Sequence, residues 1–507
     1  MELTSNLFVI FLLALLVLYY LTPKRKQWYL LLIGSWAYYL YADLRAGVFL
    51  LASTLITYFC ARRIGSIYRA GTDGDAGKRR ARGVLLLGML SNLAILAVLK
   101  YANFVLQNVG ALFGTSVPIL KLVLPLGISY YTFQTVSYLL DVYWKHAEAQ
   151  TNVLRLALFV SFFPQLTQGP IGRYDRLAPQ LYEGHAFDWE NIRYGVWRIV
   201  WGLFKKMVLA DWAGVFREAI FSAPEQYSGI AIFGVLLYTV ELYGNFSGGM
   251  DMVIGIGSLF GVKLDENFRR PFFSGSVTEF WTRWHITLGT WMKDYVFIPL
   301  SMSRWMRALG RGAKKRFGRK TGRVLPLCLA NLIVFFLVGV WHGPTWGNIG
   351  WGMYNGVIIA SSTLLAGVYA KGKERLHIDD HSRGWRVFTI LRTFGLMNLS
   401  WYFDCASSFG EAMRMIGYSL TRFRPSQFLT IAAGKAGTAY TPWALLTLVL
   451  GTALLLTVEI LQEKKRLGDV PERMPWAAQA AVLLFLFVSI PLLGPMSVAR
   501  GFIYAQF

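Results

Sequence analysis

Long apolar runs follow one another along almost the whole chain, and short polar stretches rich in lysine and arginine separate them. A helix that crosses a bilayer needs about 20 mostly apolar residues, so this pattern predicts an all-α, polytopic transmembrane bundle of about twelve spans. The first run has no basic segment before it and no small-residue cleavage site after it, which indicates a retained helix rather than a signal peptide. The predicted spans are residues 3–21, 28–42, 44–60, 84–107, 121–143, 194–220, 229–260, 324–341, 348–369, 386–403, 441–461 and 477–503.

Two other apolar stretches are too interrupted to be simple spans. Residues 153–181 are broken by Pro164, Gly169 and Pro170, and residues 265–300 mix aromatic side chains with charged ones. Irregular or charged backbone is tolerated at membrane depth only where protein or a water-filled cavity shields it. We therefore expect both stretches to form re-entrant or interfacial segments that line an internal cavity.

The composition is that of a membrane protein. The 507 residues are 55% hydrophobic and 16% charged, against roughly 25% charged in ordinary soluble domains. These values exclude a disordered chain and argue against a soluble enzyme. The net charge of +23 is diluted among apolar runs, which favours basic cytoplasmic loops over nucleic-acid binding. Three scattered cysteines predict neither a disulfide framework nor a structural metal site.

Clusters of Lys and Arg set the predicted orientation, because cytoplasmic loops carry an excess of these residues. Placing every cluster inside is consistent with an alternating path whose two termini are both extracytoplasmic. The densest cluster, residues 304–323, holds nine Lys and Arg and no acid. We interpret it as a cytoplasmic loop attracted to anionic lipid headgroups; alternatively, it docks an acidic carrier protein or the phosphates of a nucleotide-bearing donor. Residues 404–440 form the longest predicted extracytoplasmic stretch.

Two of the six histidines are candidates for chemistry, since each follows a tryptophan inside an apolar, aromatic segment. His342 is predicted to end the helix over 324–341, because Gly343 and Pro344 follow it. Burial there would keep the imidazole neutral, which is the form that accepts a proton. An ionisable group at membrane depth is a functional candidate by default, and hydrogen bonding to a neighbouring helix for packing is the alternative.

His285 is the second candidate. A helix through residues 279–291 would present an aromatic face with one titratable group, formed by Trp281, Trp284, His285 and Leu288. Arg283 and Glu279 would point elsewhere. The alternative is an interfacial aromatic belt in which His285 only forms a hydrogen bond.

Four acids lie within or beside the apolar runs, namely Glu241, Asp251, Asp294 and Glu459. They form either a proton relay, as in transporters, or satisfied pairs such as Asp294 with Lys293. No nucleophile elbow, P-loop, Rossmann fingerprint or HExxH motif occurs in the sequence.

Four pieces of the chain resemble the membrane-bound O-acyltransferase family, in particular the branch of bacterial alginate O-acetylation and D-alanyl-teichoic-acid transfer proteins. They are SFFPQLTQGPIGRYDRLAPQL at 161–181, ENFRRPFFSGSVTEFWTRWHITLGTWMKDYVFIPL at 266–300, GVWHGPTWGNIGWGMYNG at 339–356 and the ending GFIYAQF. The resemblance runs through nearly the whole chain in order. It implies a single integral-membrane acyltransferase domain over residues 1–507, with a motif core at 153–356 and re-entrant segments around a central tunnel.

The resemblance also implies site residues. The family's catalytic histidine, in the motif WHG, is here His342, and its second histidine, in RWH, is here His285. The same motifs suggest a set of substrate-binding or tunnel-lining residues: Trp341, Trp284, Trp281, Arg283, Asp294, Tyr295, Gln168 and Asn355. Two positions depart from the family pattern, because Asn355 stands where relatives often have histidine and Asp404 stands where many have a basic residue.

Together these features predict acyl transfer. A thioester donor, acetyl-CoA or an acyl carrier protein, would bring an acyl group, most simply acetyl, from the cytoplasmic side, and we expect no bound cofactor and no metal. His342 would act as general base on an acceptor hydroxyl, while His285 would position the thioester or stabilise the oxyanion.

The expected setting is the cytoplasmic membrane of a bacterium. The expected partners are membrane lipid, an extracellular polysaccharide acceptor, an extracytoplasmic esterase-like protein that passes the acyl group on, and a cytoplasmic carrier protein; nucleic acid is not expected. One alternative is D-alanyl transfer to teichoic acid. Another, from a different class, is a polysaccharide or lipid transporter or flippase, which would need paired broken helices in two corresponding halves.

Overall fold

The protein is built almost entirely of helices. The computed structural model describes residues 1–71, 74–222, 226–406, 408–432, 442–465, 468, 474–495 and 501–502. The helices are α1 (Asn6–Leu21), α2 (Gln27–Ala42), α3 (Ala46–Arg69), α4 (Asp75–Phe113), α5 (Ile128–Tyr143), α6 (Val153–Ser161), α7 (Phe163–Leu166), α8 (Tyr174–Tyr182), α9 (Trp189–Phe204), α10 (Asp211–Phe221), α11 (Ala231–Leu259), α12 (Val277–Arg283), α13 (Ile286–Met292), α14 (Ile298–Ser301), α15 (Arg304–His342), α16 (Trp346–Leu364), α17 (Ala366–Arg375), α18 (Arg383–Cys405), α19 (Phe409–Thr421), α20 (Ser426–Ala432), α21 (Pro442–Glu463) and α22 (Trp476–Leu493).

Six helices are long and apolar enough to cross a membrane, and the bent pair α16 and α17 makes a seventh if it counts as one span. The six are α3, α4, α11 with the short turn before it, α15, α21 and α22. Each of the twelve predicted ranges contains a helix, so the all-α class is confirmed. Several of these helices are short; α1, for example, has 16 residues. The count of about twelve spans therefore stays a prediction.

The centre of the bundle is the long helix α11, which packs along α9 and α10. Its glycine-rich sequence remains one continuous helix from Ala231 to Leu259. The glycines lie where helices touch: a Cβ on Gly248 would come within 2.7 Å of the Gly202 carbonyl of α9. Small residues at such crossings let two backbones approach closely, so these glycines support the packing of α11 rather than breaking it.

Both interrupted stretches are broken into short helices. Residues 153–181 form α6, α7 and all but the last residue of α8, and residues 265–300 contain α12, α13 and most of α14, joined by irregular turns. Every residue of the segment 156–173 is buried. Gly127 shows how tightly it packs, because its positive φ of 70° places it against the Leu166 carbonyl, where a Cβ would clash. The predicted breaks are therefore confirmed.

The basic stretch 304–323 is not an irregular loop, while its cytoplasmic location and its attraction to lipid headgroups stay predictions. It is helical, and it forms the first part of α15. Gly318 interrupts the helix with φ 84° and ψ 171°. A Cβ on Gly322 would lie 2.8 Å from the Gly310 carbonyl, whereas twelve residues of straight helix span about 18 Å. The chain thus turns back at Gly318 into a basic helical hairpin, residues 304–323.

The predicted extracytoplasmic stretch 404–440 is also partly helical, since it contains α19 and α20. Residues 433–440 lie outside the described residues, as do most of the predicted ending motif GFIYAQF and the end of the predicted span 477–503.

Candidate functional site

The segment that carries His285 is folded differently from the prediction. Helix α12 ends at Arg283, and His285 has a left-handed backbone, with φ 47° and ψ 52°, before α13 begins. Trp284 instead pairs with Phe268 in an isolated antiparallel bridge. One continuous helical face with Trp281, Trp284, His285 and Leu288 is therefore wrong, because the chain turns sharply between Trp284 and Ile286.

Asn267 holds this turn in place. Its side-chain oxygen accepts hydrogen bonds from the backbone amide and the hydroxyl of Thr287, both at 2.9 Å, and lies 3.4 Å from His285 Nδ1. The Thr287 hydroxyl in turn accepts a hydrogen bond of 3.1 Å from the Ile171 amide. The two interrupted stretches are thus joined directly beside His285, and their short helices form one rigid support for it.

The structure brings the two predicted histidines into one aromatic cluster. His285 and His342 are buried, at 2% and 7% exposure. The Trp341 ring lies 6.0 Å from the His285 ring and 5.0 Å from the His342 ring, and Trp351 lies 4.6 Å from His342. Residues 57 apart in the sequence therefore face the same indole.

An apolar pocket of about 400 Å³ reaches His285. Its lining includes Trp281, Leu288, Val334, Phe335 and Val338, and its polar members are His285, Lys293, Asn331 and three threonines. An apolar pocket that reaches a buried histidine suits a flexible chain with a reactive end. A tunnel that continues past His285 to His342 stays a prediction.

Several buried polar atoms around the histidines have no hydrogen-bond partner within the described part of the chain. They are the indole nitrogens of Trp341, Trp351 and Trp401 and the hydroxyl of Tyr130; the side-chain amide of Gln168, beside Gly249 of α11, has none either. Trp351 contacts His342, and Tyr130 contacts Trp341 edge-on at 6.1 Å. Native proteins leave few buried donors unsatisfied, so such a group indicates a place where water or a substrate binds.

The other predicted site residues fall into two groups. Trp281 donates to the Asn355 side chain at 3.3 Å and packs on Trp351, so these residues lie beside His342. Gln168 is fully buried against Gly249 of α11, and Trp284 packs 5.9 Å from Trp401.

Asp294 and Tyr295 lie elsewhere, in a second pocket of about 610 Å³. Asp294 forms an ion pair of 2.6 Å with Arg173, not with Lys293 as predicted. Tyr295 donates to both carboxylate oxygens of Asp141, at 2.9 and 2.8 Å. Burial and then the Asp141 charge raise the pKa of Tyr295 above its ordinary value, so its hydroxyl stays protonated.

Arg283 also points away from the histidines, as predicted for the helical face. It binds Glu279 at 2.8 Å and Glu463 of α21 at 3.1 Å, and Glu463 also binds Arg270 at 2.9 Å. We call Arg270, Arg283 and Glu463 the arginine clamp. It fastens the segment that carries His285 to α21.

The four acids of the apolar runs have partners, which fits the satisfied-pair interpretation. Asp251 binds Arg198 at 2.6 Å and Lys205 at 2.5 Å. Glu241 pairs with Arg217. Glu459 accepts a hydrogen bond from Tyr243. None of the described residues forms a group of three or more His, Cys, Asp or Glu that could hold a metal ion.

Three residues of the site were missed by the sequence analysis. Asn267 and Trp351 lie inside the segments 266–300 and 339–356 that carry the family resemblance, but neither was selected as a site residue. Lys100 has a signal of its own, since it is a single cation inside the apolar run 93–105, and ionisable residues in such runs are functional candidates. Its side chain reaches the last turn of α15, next to His342.

These features define a class: a multi-pass helical membrane protein with a buried site built around two histidines. Residues 145–310, which include His285 but not His342, match the MBOAT, membrane-bound O-acyltransferase, family. "Probable alginate O-acetylase AlgI" of Azotobacter vinelandii is 32% identical over 421 residues, covering 82% of this chain and 77% of that protein. The chain belongs to the membrane-bound O-acyltransferase family and is an acyltransferase.

Relatives with other names match as well. "Peptidoglycan O-acetyltransferase" of Helicobacter pylori is 31% identical over 419 residues, covering 77% of this chain and 73% of that protein. "Teichoic acid D-alanyltransferase" of Bacillus subtilis is 28% identical over 283 residues, covering 55% of this chain and 67% of that protein. Acyl transfer is common to all these names, while the acyl group and the acceptor differ.

Proposed function

We propose that this protein transfers an acetyl group from a cytoplasmic thioester, across the membrane, for O-acetylation of an extracytoplasmic polysaccharide. The observation that carries the proposal is the pair of buried histidines that face the same indole, in a chain of the acyltransferase family. The acetyl group and the polysaccharide are inferred from the relatives named as alginate O-acetylases and peptidoglycan O-acetyltransferase.

His342 is the general base in this proposal. It takes the proton of the attacking hydroxyl as the hydroxyl oxygen bonds to the thioester carbonyl carbon. The C–S bond then breaks, and the proton passes to the leaving thiolate, so that an ester and a free thiol are formed. General-base assistance of this kind is worth about 10²–10⁴-fold.

His285 positions the thioester in the apolar pocket, and unsatisfied donors stabilise the developing oxyanion. The indole N–H groups of Trp341 and Trp351 are suited to this role because they are buried, lack partners among the described residues and contact the histidines. Preorganised donors in a water-poor site are worth several kcal/mol; loss of one typically costs about 10²–10³-fold in rate. Gln168 is the proposed contact for the acceptor.

The donor is acetyl-CoA or an acyl carrier protein, and it approaches from the side of the basic hairpin 304–323. This hairpin carries nine cations and no acid, so it attracts both anionic lipids and the phosphates or acidic surface of either donor. The proposal also retains about twelve spans, a tunnel between the two faces, extracytoplasmic termini and location in the bacterial cytoplasmic membrane. An esterase-like partner outside the membrane receives the acetyl group and passes it to the polymer.

The test is the ester content of cell-surface polymers, measured by NMR or mass spectrometry in a deletion strain that carries wild type, His342→Gln or His146→Ala. His146 is the matched control, because it is exposed and lies outside the aromatic cluster. We expect O-acetyl esters with the wild type and with His146→Ala, and none with His342→Gln at equal membrane levels. Normal O-acetylation with His342→Gln would show that His342 is not the base.

D-alanyl transfer to teichoic acid is the second candidate, and the similarity to teichoic acid D-alanyltransferases favours it. The same strains decide, because D-alanyl esters would then disappear with His342→Gln while O-acetyl esters remain unchanged. A transporter or flippase is disfavoured, since the four acids in the apolar runs are already paired or hydrogen-bonded. The transporter or flippase hypothesis would be favoured if both esters persisted in the deletion strain and unmodified polymer accumulated inside the cells.

A further inference from the structure

Lys100 and Tyr101 of α4 reach across to the carboxyl end of α15. Lys100 Nζ donates to the Trp341 carbonyl at 2.6 Å, and the Tyr101 hydroxyl donates to the Val340 carbonyl at 3.0 Å. Lys100 Nζ also lies 3.3 Å from the Ser129 hydroxyl of α5. The last four carbonyls of a helix lack partners within the helix. Two neighbouring side chains of α4 therefore satisfy the two carbonyls that come just before His342.

Lysine is an unusual residue for satisfying helix carbonyls inside a membrane protein. Lys100 is 8% exposed, inside an apolar helix, and no carboxylate within the described ranges neutralises it. A buried cation without a counter-charge is costly at membrane depth, so an apolar or neutral side chain would serve packing better. The negative end of the α15 dipole compensates part of this cost. A group retained at such a cost points to a function.

The contact acts on His342 through the backbone. The Trp341 carbonyl and the His342 amide belong to one planar peptide unit, so a bond that fixes the carbonyl also fixes the plane from which the His342 side chain projects. The ammonium and the His342 imidazole also lie against the same indole, since the Trp341 ring is 5.8 Å from Lys100 Nζ and 5.0 Å from the His342 ring. Meanwhile α15 ends at His342, and Gly343 follows with an extended backbone. The helix itself therefore provides no further turn to hold His342.

We propose that Lys100 is a positioning residue for His342, with Tyr101 as its helper, and that it holds the general base at the angle required for proton transfer. This inference rests on the proposed function for its catalytic readout. A misplacement of about 1 Å costs on the order of a hundredfold in rate. Loss of the Lys100 contact is therefore expected to lower kcat while leaving donor binding in the apolar pocket intact.

The test compares Lys100→Met and Lys100→Arg with the exposed Lys121→Met in purified protein, using acetyl-CoA as donor. We expect Lys100→Met to lower kcat about a hundredfold and to keep the donor KM within about twofold, because only orientation is lost. Lys100→Arg retains the cation and the donor, so it should restore much of kcat. Lys121→Met should match the wild type. A KM that rises as much as kcat falls, or no rescue by arginine, would make Lys100 a packing residue and overturn the proposal.

A second pair of variants tests the proposal in case Lys100→Met does not fold. Tyr101→Phe removes the neighbouring contact without changing a charge, and Tyr58→Phe is its control, because Tyr58 likewise donates to a backbone carbonyl, that of Thr151, at 2.8 Å. We expect Tyr101→Phe to lower kcat and Tyr58→Phe to leave it unchanged. Equal kcat for the two variants would count against the proposal.

A readout independent of transfer separates this proposal from the proposed function. Diethylpyrocarbonate modifies histidines, and mass spectrometry measures the rate at His342 relative to the exposed His146 of the same molecule. We expect the relative rate at His342 to change several-fold in Lys100→Met. If wild-type protein transfers no acyl group but this change is seen, the proposed function fails and the positioning role stands; an unchanged rate refutes the positioning role.

Discussion

His285 occupies a backbone conformation that most residues avoid. Its φ of 47° and ψ of 52° lie in the left-handed region, where an L-residue pays roughly 1–2 kcal/mol, and where Asn, Asp and His are better tolerated than alanine. The turn also directs the ring toward Phe246 and Trp341. A substitution at 285 therefore changes two things at once, the imidazole and the cost of the turn.

Two substitutions at position 285 separate the loss of the imidazole from the cost of the turn. His285→Asn removes the imidazole but suits the left-handed turn, so we expect it to lose activity and keep nearly the wild-type melting temperature. His285→Ala should lose activity and also about 1 kcal/mol of stability. Thermal unfolding in detergent, together with the ester assay, checks both. An equal loss of stability in the two variants would show that the turn does not depend on the residue type.

The sequence allowed both candidate histidines and three nearby tryptophans, Trp281, Trp284 and Trp341, to be selected, because Trp-His pairs in apolar segments are conspicuous. It did not allow their surroundings to be predicted. The Asn267–Thr287 contact joins residues 20 positions apart, and the Ile171–Thr287 contact joins residues 116 positions apart. Lys100 contacts a carbonyl 241 positions away. Local periodicity carries no information on such contacts, and it favoured a regular helix through His285.

At the scale of elements, the basic hairpin 304–323 is the clearest departure from expectation. Its dense charge indicated a loop, yet Lys and Arg are good helix formers, and the chain forms two helical arms about Gly318. At φ 84° and ψ 171°, Gly318 lies in a region that is essentially restricted to glycine. The hairpin therefore depends on this one residue for its reversal.

Gly318→Ala is expected to lower the free energy of unfolding by about 1–3 kcal/mol, because alanine is strained at that φ and ψ. Gly312→Ala is the matched control, since Gly312 lies in a helical arm and a Cβ there would meet nothing within 4 Å. It should raise stability by about 0.5–1 kcal/mol, as alanine does in helices. Thermal unfolding of both variants tests whether Gly318→Ala lowers the melting temperature while Gly312→Ala raises it. A shift of both melting temperatures in the same direction would contradict the hairpin.

The helices themselves were largely predictable, because apolar runs of the right length dictate them. The prolines and glycines of 153–181 correctly indicated a break, whereas the glycines of α11 did not produce one. The difference is packing: Gly248 and Gly255 of α11 face Gly202 and Gly195 of α9 at backbone contact distance. This context cannot be seen in one run of sequence.

At the scale of the whole molecule, the charged side chains are distributed unevenly between the interior of the bundle and the basic hairpin. The ionic side chains inside the bundle are mostly paired, as Asp251 is with Arg198 and Lys205. The densest group of cations, nine Lys and Arg without an acid, lies in the basic hairpin 304–323. Such an uneven distribution fixes the direction in which a chain crosses the membrane.

We therefore expect the basic hairpin inside and the amino terminus outside. The test uses a variant without Cys60, Cys328 and Cys405, into which Glu2→Cys or Lys315→Cys is introduced; both positions are exposed. A membrane-impermeant maleimide applied to intact spheroplasts should label the first cysteine and not the second, and lysis should make the second reactive. Labelling of Lys315→Cys from outside would reverse the proposed orientation.

The arginine clamp also has a consequence for the order in which the protein is completed. Glu463 comes 193 residues after Arg270 and 180 residues after Arg283. A ribosome adds about 5–20 residues per second, so the arginines emerge roughly 10–40 s before the carboxylate that secures them. The segment that carries His285 is thus among the last to be fastened during synthesis. A nascent chain released before α21 would enter the membrane with both histidines present and their support unfinished.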